Sequence, residues 1–90
     1  MGLAEPSARQ IQGWLVSRLA EELRIAAEQI DVREPFAQYG VDSVIAVGLS
    51  GELEDWLGIA LAPTVLWDYP TVASLADYLA NEYHRAGVTR

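Results

Sequence analysis

The chain has no cysteine and no lysine. The first absence excludes a disulfide framework and a thiolate metal site. His84 is the only histidine, so an all-protein zinc centre is not expected either. With no lysine, six arginines stand against thirteen Asp and Glu, and the formal net charge is −7. None of the arginines falls between Arg33 and Arg85, an interval that holds Glu34, Asp42, Glu52, Glu54, Asp55, Asp68, Asp77 and Glu82. Such a surface repels nucleic acid, because affinity for a phosphate backbone needs Lys and Arg. It either attracts basic protein partners, with a steered and salt-sensitive encounter, or simply keeps a small domain soluble. No apolar run approaches the roughly 20 residues of a membrane span, and Met1–Glu5 lacks the basic and apolar regions of a signal peptide. A cytoplasmic protein with no membrane or nucleic-acid partner is expected. Arginine without lysine, with abundant alanine, suggests a bacterial source.

What is present is a core. Ninety residues at 51% hydrophobic are enough for one small domain and too apolar for a disordered chain. Residues 1–6 read as a disordered lead, 7–85 as the domain, and 86–90 as a tail or linker. Ser7 and Gln10 fit a capping box that opens a first helix running to about Arg24. Its Ile11, Leu15, Leu19 and Leu23 make one apolar stripe, with Trp14 beside it; its simplest role is scaffold. Residues 25–42 form a long connection with a possible helical turn between Ala26 and Ile30, pinned by Ile25, Ile30 and Phe36. Loops of this length in a compact domain are usually functional or disordered, and the pins favour an ordered one. A second helix spans about Ser43 to Leu57, ends at Gly58, and turns Ala46, Leu49, Leu53 and Leu57 to the core. Pro63 opens a short helix, Thr64 to Tyr69. Thr71 caps the last, Val72 to about Arg85, whose inward stripe is Val72, Leu75, Ala76, Leu79 and Tyr83. No run has the period-2 pattern of a strand. The expected fold is all-α: a small four-helix bundle of three main helices and one short one, with a long first loop.

The stretch Gly40-Val41-Asp42-Ser43-Val44 organises the rest. It places Ser43 where a loop meets a helix N-terminus, with unpaired N–H groups and the positive end of the helix dipole. A phosphate on the Ser43 oxygen would sit in a favourable field. The field contributes only about 0.3–1 kcal/mol at an exposed site, so an external enzyme must supply the chemistry. Ser43, Asp42 and His84 are also the ingredients of a nucleophilic triad, but adjacency of Asp42 and Ser43 makes the usual relay through histidine improbable. The pairs Glu21-Glu22 and Glu54-Asp55 read as solvated helix faces. No catalytic and no metal residues are therefore assigned.

Tyr39-Gly40-Val41-Asp42-Ser43-Val44, followed by Leu49, Leu53-Glu54 and Leu57-Gly58, resembles the attachment site of acyl carrier proteins. Pro63-Thr64-Val65-Leu66-Trp67-Asp68-Tyr69-Pro70-Thr71-Val72, then Leu75-Ala76 and Tyr78-Leu79, is similar to the end of carrier domains in modular polyketide synthases. The resemblance runs from about Ile11 to Leu79. It implies a non-catalytic domain with 4′-phosphopantetheine, donated by coenzyme A, on Ser43, and an arm thiol that carries acyl or polyketide groups as thioesters. It implies that Asp42 helps a phosphopantetheinyl transferase dock. Further partners would be a ketosynthase, an acyltransferase and other synthase domains, with the isolated domain monomeric. Asp42 before the serine resembles acyl and polyketide carriers more than peptidyl ones. A stand-alone, fatty-acid or peptidyl carrier is the near alternative. A helical interaction module that carries no group, with Ser43 only an N-cap, is the distant one.

One face of the second helix is unusual. Val44, Val47, Gly48, Gly51 and Asp55 lie together, although each glycine costs about 1 kcal/mol in a helix interior. Either another element packs closely there or the face is a smooth docking surface, an apolar patch rimmed by acid. Gly48 and Gly51 depart from the bulkier or charged residues of the family on this helix. The expected partner-recognition residues are Val44, Val47, Gly51, Asp55, Trp67 and Asp68. Trp67 divides between a core aromatic and a partner or acyl-chain contact, and Trp56 is similarly undecided.

Overall fold

A computed structural model describes residues 6–85. The expected lead, apart from Pro6, and the tail lie outside the described residues. Four α-helices form in chain order: α1 Ala8–Leu23, α2 Ser43–Leu57, α3 Val65–Asp68 and α4 Val72–Arg85. Among the described residues there is no strand, only an isolated bridge between Pro35 and Thr71.

The long helices start where their caps direct. The Ser7 hydroxyl accepts from the Gln10 N–H at 3.2 Å, and the Gln10 side chain accepts from the Ser7 N–H at 2.8 Å. Thr71 and Ser74 repeat the reciprocal pattern ahead of α4, at 3.0 and 3.2 Å. At the C-terminal ends of α1 and α2 the chain turns left-handed. Gly58 does so without strain at φ 71° after α2, whereas α1 stops at Leu23 because Arg24 takes φ 58°. α3 is shorter than the sequence suggests: Thr64 stands at its N-cap and Tyr69 has already left helical geometry.

The core is one cluster. Ile11, Leu15 and Leu19 of α1 meet Leu49, Leu53 and Leu57 of α2, Leu66 of α3 and Leu75 and Leu79 of α4, all essentially without exposure. α1 packs chiefly against α4, and α3 rests on α2. Tyr83 is only half-buried, so the inward stripe of α4 weakens in its last turn.

The long first connection is ordered by two 3₁₀ turns, Ala27–Gln29 and Phe36–Tyr39. Phe36 is fully buried, Ile30 and Val41 nearly so, and Ile25 packs against the cluster from the side. Backbone bonds then tie the loop to the start of α4: the Phe36 N–H donates to Pro70 O at 2.8 Å and the Ala73 N–H to Val32 O at 2.9 Å. The Tyr39 hydroxyl accepts from the Asp31 N–H at 2.7 Å. The loop is thus fastened by apolar pins and by backbone bonds, and it delivers Gly40, at φ 79°, to the head of α2.

Candidate carrier site

Ser43 is the first residue of α2, and Asp42 is its N-cap. The Asp42 carboxylate accepts from the Ile45 N–H at 2.9 Å, and the Asp42 carbonyl accepts from the Ala46 N–H at 2.9 Å. The reading of Ser43 as merely an N-cap is therefore wrong. Asp42 outcompetes it because a carboxylate one residue earlier reaches the third amide and also sits well in the dipole field. The cap occupies Oδ1 of Asp42. Ser43 is exposed, and its side chain is not needed to start the helix.

The other serines are differently placed. Ser50 is 4% exposed and donates its hydroxyl to Val47 O at 2.7 Å. Ser7 and Ser74 work in their caps, and Ser17 lies on α1.

The face beside Ser43 is open. Val44 is 79% exposed and Val47 51%, and Asp55 is exposed two turns beyond Val47. A methyl group added at Gly48 or Gly51 would meet nothing within 4 Å. The two glycines thus do not make room for a packed neighbour; they flatten the outer surface of α2. Gly51→Ala should accordingly raise stability by about 0.5–1 kcal/mol, read as a higher urea midpoint. An unchanged or lower midpoint would show that the backbone there needs glycine.

Trp67 and Trp56 are each 40% exposed, so neither is a core aromatic. Trp56 stacks on Trp14 of α1 with ring centroids 5.3 Å apart. Asp68 is exposed on α3 and accepts from the Thr64 hydroxyl at 3.3 Å. Glu54 is not simply solvated: its carboxylate accepts from the Leu61 N–H at 2.6 Å and holds the extended link after α2.

Sequence reading missed an ionic cluster between α1 and α2. Arg18 grips Glu52 with two parallel bonds, Nε to Oε1 at 2.7 Å and Nη2 to Oε2 at 3.0 Å. Nη1 also bonds Glu21, and Nη2 reaches Glu22 at 3.3 Å. The bond to Glu52 raises the guanidinium pKa above its ordinary value, and the same bond holds the Glu52 carboxyl below its own. The pairs within α1 are visible as i, i+3 and i, i+4 spacings; nothing in the sequence marks a partner 34 residues away. Beside this cluster a cleft of about 100 Å³ opens between the helices, lined by Arg18, Glu22, Val44, Ile45, Gly48, Leu49 and Glu52.

A phosphopantetheine arm suits these residues on two counts. An exposed hydroxyl stands at a helix N-terminus whose first amides have no intrahelical acceptor, and the adjoining helix face has open space above Gly48 and Gly51. When bound, such an arm supplies a thiol that carries acyl groups as thioesters.

Comparison with known proteins agrees with this class of site. The family described as "Phosphopantetheine attachment site" matches residues 13–79. Polyketide synthase PksL of Bacillus subtilis is 39% identical over 75 residues, covering 83% of this chain and 2% of that protein. The acyl carrier protein TtuC of Teredinibacter turnerae is 32% identical over 74 residues, 82% of this chain and 85% of that one. Among solved structures, a free-standing peptidyl carrier protein from Acinetobacter baumannii superposes with TM-score 0.82 at 40% identity, over 86% of this chain and 96% of that one. The HMG-ACPI domain of the CurA module from Lyngbya majuscula gives TM-score 0.82 at 26% identity, over 98% and 89%.

The chain belongs to the phosphopantetheine-attachment family, the carrier domains that hold a covalent 4′-phosphopantetheine. It spans about 2–4% of the length of the long synthases it matches. Among the described residues no helix is long and apolar enough to cross a membrane.

Proposed function

We propose that residues 7–85 are the acyl carrier domain of a modular polyketide synthase, with the arm on Ser43. In this reading the domain is a substrate and shuttle and performs no catalysis of its own. A phosphopantetheinyl transferase loads it in the cytoplasm of a bacterial cell. A ketosynthase, an acyltransferase and other synthase domains then engage it in turn, each docking on the face formed by Val44, Val47, Gly51 and Asp55, with Trp67 and Asp68 at its margin. The isolated domain is monomeric.

One observation carries the assignment of Ser43. Asp42 does the capping, so the Ser43 hydroxyl is exposed at a helix start without a structural duty. The polyketide type is supported by similarity to synthases of that name. Shape does not separate acyl from peptidyl carriers, since a peptidyl carrier superposes equally well.

The test is intact-protein mass after incubation with coenzyme A and a broad-specificity phosphopantetheinyl transferase. One phosphopantetheine should be gained. Cleavage at glutamate should locate it on the fragment between Glu34 and Glu52, and sequencing by mass should place it on Ser43. A gain located on Ser17, or no gain by the folded protein, would overturn the assignment.

A further inference from the structure

Taken as a sequence, Glu52 belongs to the acidic rim of the docking face: Val44, Gly48 and Glu52 follow one another at turn spacing along α2. The structure gives it a different standing. Its carboxylate is gripped at two points by the Arg18 guanidinium, and paired bonds of this kind are the strongest that exposed charges make. Three-quarters of the Arg18 side chain is already covered, with 23% exposed, so little further ordering is needed to keep it in place. Glu21 and Glu22, one turn along α1, hold the other side of the guanidinium. Asp55 is different. Among the described residues no cation stands against it, and it lies exposed on the same side of α2 as Val44 and Gly51.

We propose that Arg18 is a specificity-determining residue: it withholds Glu52 from a cationic partner, so that a partner docking on α2 reads Asp42 and Asp55 as its charged contacts. The inference rests on the docking face described under Proposed function and deepens it. A partner that sought Glu52 would have to displace a two-point guanidinium contact, whereas Asp55 offers its charge with nothing to displace. Three carboxylates share the one guanidinium, so the cluster stays negative overall and Arg18 does not itself repel a basic partner. The acidic pattern presented along α2 is thereby narrower than the sequence suggests, and it is set from α1.

The test measures kcat/KM for loading of the whole chain by a broad-specificity phosphopantetheinyl transferase with coenzyme A, at low and at high salt. Asp55→Asn should slow loading about two- to five-fold at low salt, the effect of one exposed charge. Glu52→Gln should change it by less than about two-fold, because its charge is already paired. Arg18→Gln frees Glu52 and should speed loading about two- to five-fold, a gain that Glu52→Gln cancels in the double variant. Arg9→Gln makes the same formal charge change about 13 Å further along α1 and should not reproduce the gain. High salt should level these differences. Urea midpoints of all variants separate lost fold from lost recognition.

Slowing by Glu52→Gln equal to that by Asp55→Asn would overturn the proposal. So would a gain in Arg18→Gln that Arg9→Gln matches or Glu52→Gln leaves intact, and so would indifference of the rate to all of these changes. Absence of loading in the unaltered protein would instead sink the assignment of Ser43, and this inference with it.

Discussion

Ser43→Ala should take up no phosphopantetheine mass, while its stability, read from the urea midpoint, stays within about 0.5 kcal/mol of that of the unaltered protein. The first expectation follows from chemistry: the arm requires a hydroxyl oxygen, and alanine has none. The second follows from the cap. Ser43 is the first helical residue, exposed, and Asp42 receives the Ile45 N–H in its place. Alanine is the best helix former, so the exchange is close to neutral. Asp42→Ala gives a different pattern: the mass is still gained, at a slower rate because a charged docking contact is lost, and the stability falls. It removes the cap and should cost about 1 kcal/mol, within a range of about 0.5–2, while the acceptor hydroxyl remains. The two variants together cross function with stability. Mass gain in Ser43→Ala would mean that another hydroxyl accepts the arm. A large midpoint loss in Ser43→Ala with none in Asp42→Ala would mean that the cap has been assigned to the wrong residue.

The second large effect lies in the loop. Phe36 is fully buried at the beginning of the second 3₁₀ turn. Truncation of a buried phenylalanine to alanine costs about 3–5 kcal/mol through lost transfer energy and the cavity left behind. Small domains have only about 5–15 kcal/mol in total, so Phe36→Ala should remove much of the stability of this one. The effect should appear as a strongly lowered urea midpoint with tryptophan fluorescence as the probe. Loading should also fall, because the buried ring anchors the turn that delivers Gly40; without that anchor the backbone bonds around it, Val41 N–H to Phe36 O at 3.4 Å and Phe36 N–H to Pro70 O at 2.8 Å, lose their support. A loss below about 1 kcal/mol would show that the site collapses around the smaller side chain, outside the usual range for such truncations.

Much of this architecture is written in local pattern. Leucine at turn spacing marks α1 and α2, and reciprocal caps mark the starts of α1 and α4. The short reach of those signals is why they are readable: a cap or a stripe depends on residues three or four apart. The second 3₁₀ turn of the loop was not legible, because Phe36-Ala37-Gln38-Tyr39 carries no helix-forming pattern of its own; burial of Phe36 and the bond to Pro70 impose it. Glu54 was misread, and the partner of Glu52 was missed, for one reason. Exposed carboxylates look alike in a sequence, and only the fold brings Leu61 to one and Arg18 to the other. Ser43 was legible as a candidate from its position alone, but which of Asp42 and Ser43 caps the helix depends on side-chain geometry that neighbouring residues in a sequence do not reveal.

The bonds from Phe36 to Pro70 and from Ala73 to Val32 also set an order of events during synthesis. The loop that presents Ser43 closes on residues made some forty positions after it begins to emerge, so the platform for the serine is completed only when the head of the last helix has left the ribosome. A growing chain that has just exposed Asp42 and Ser43 has these two residues without the surface that arranges them. A chain cut short before the head of α4 therefore has Asp42 and Ser43 without the loop fastened beside them.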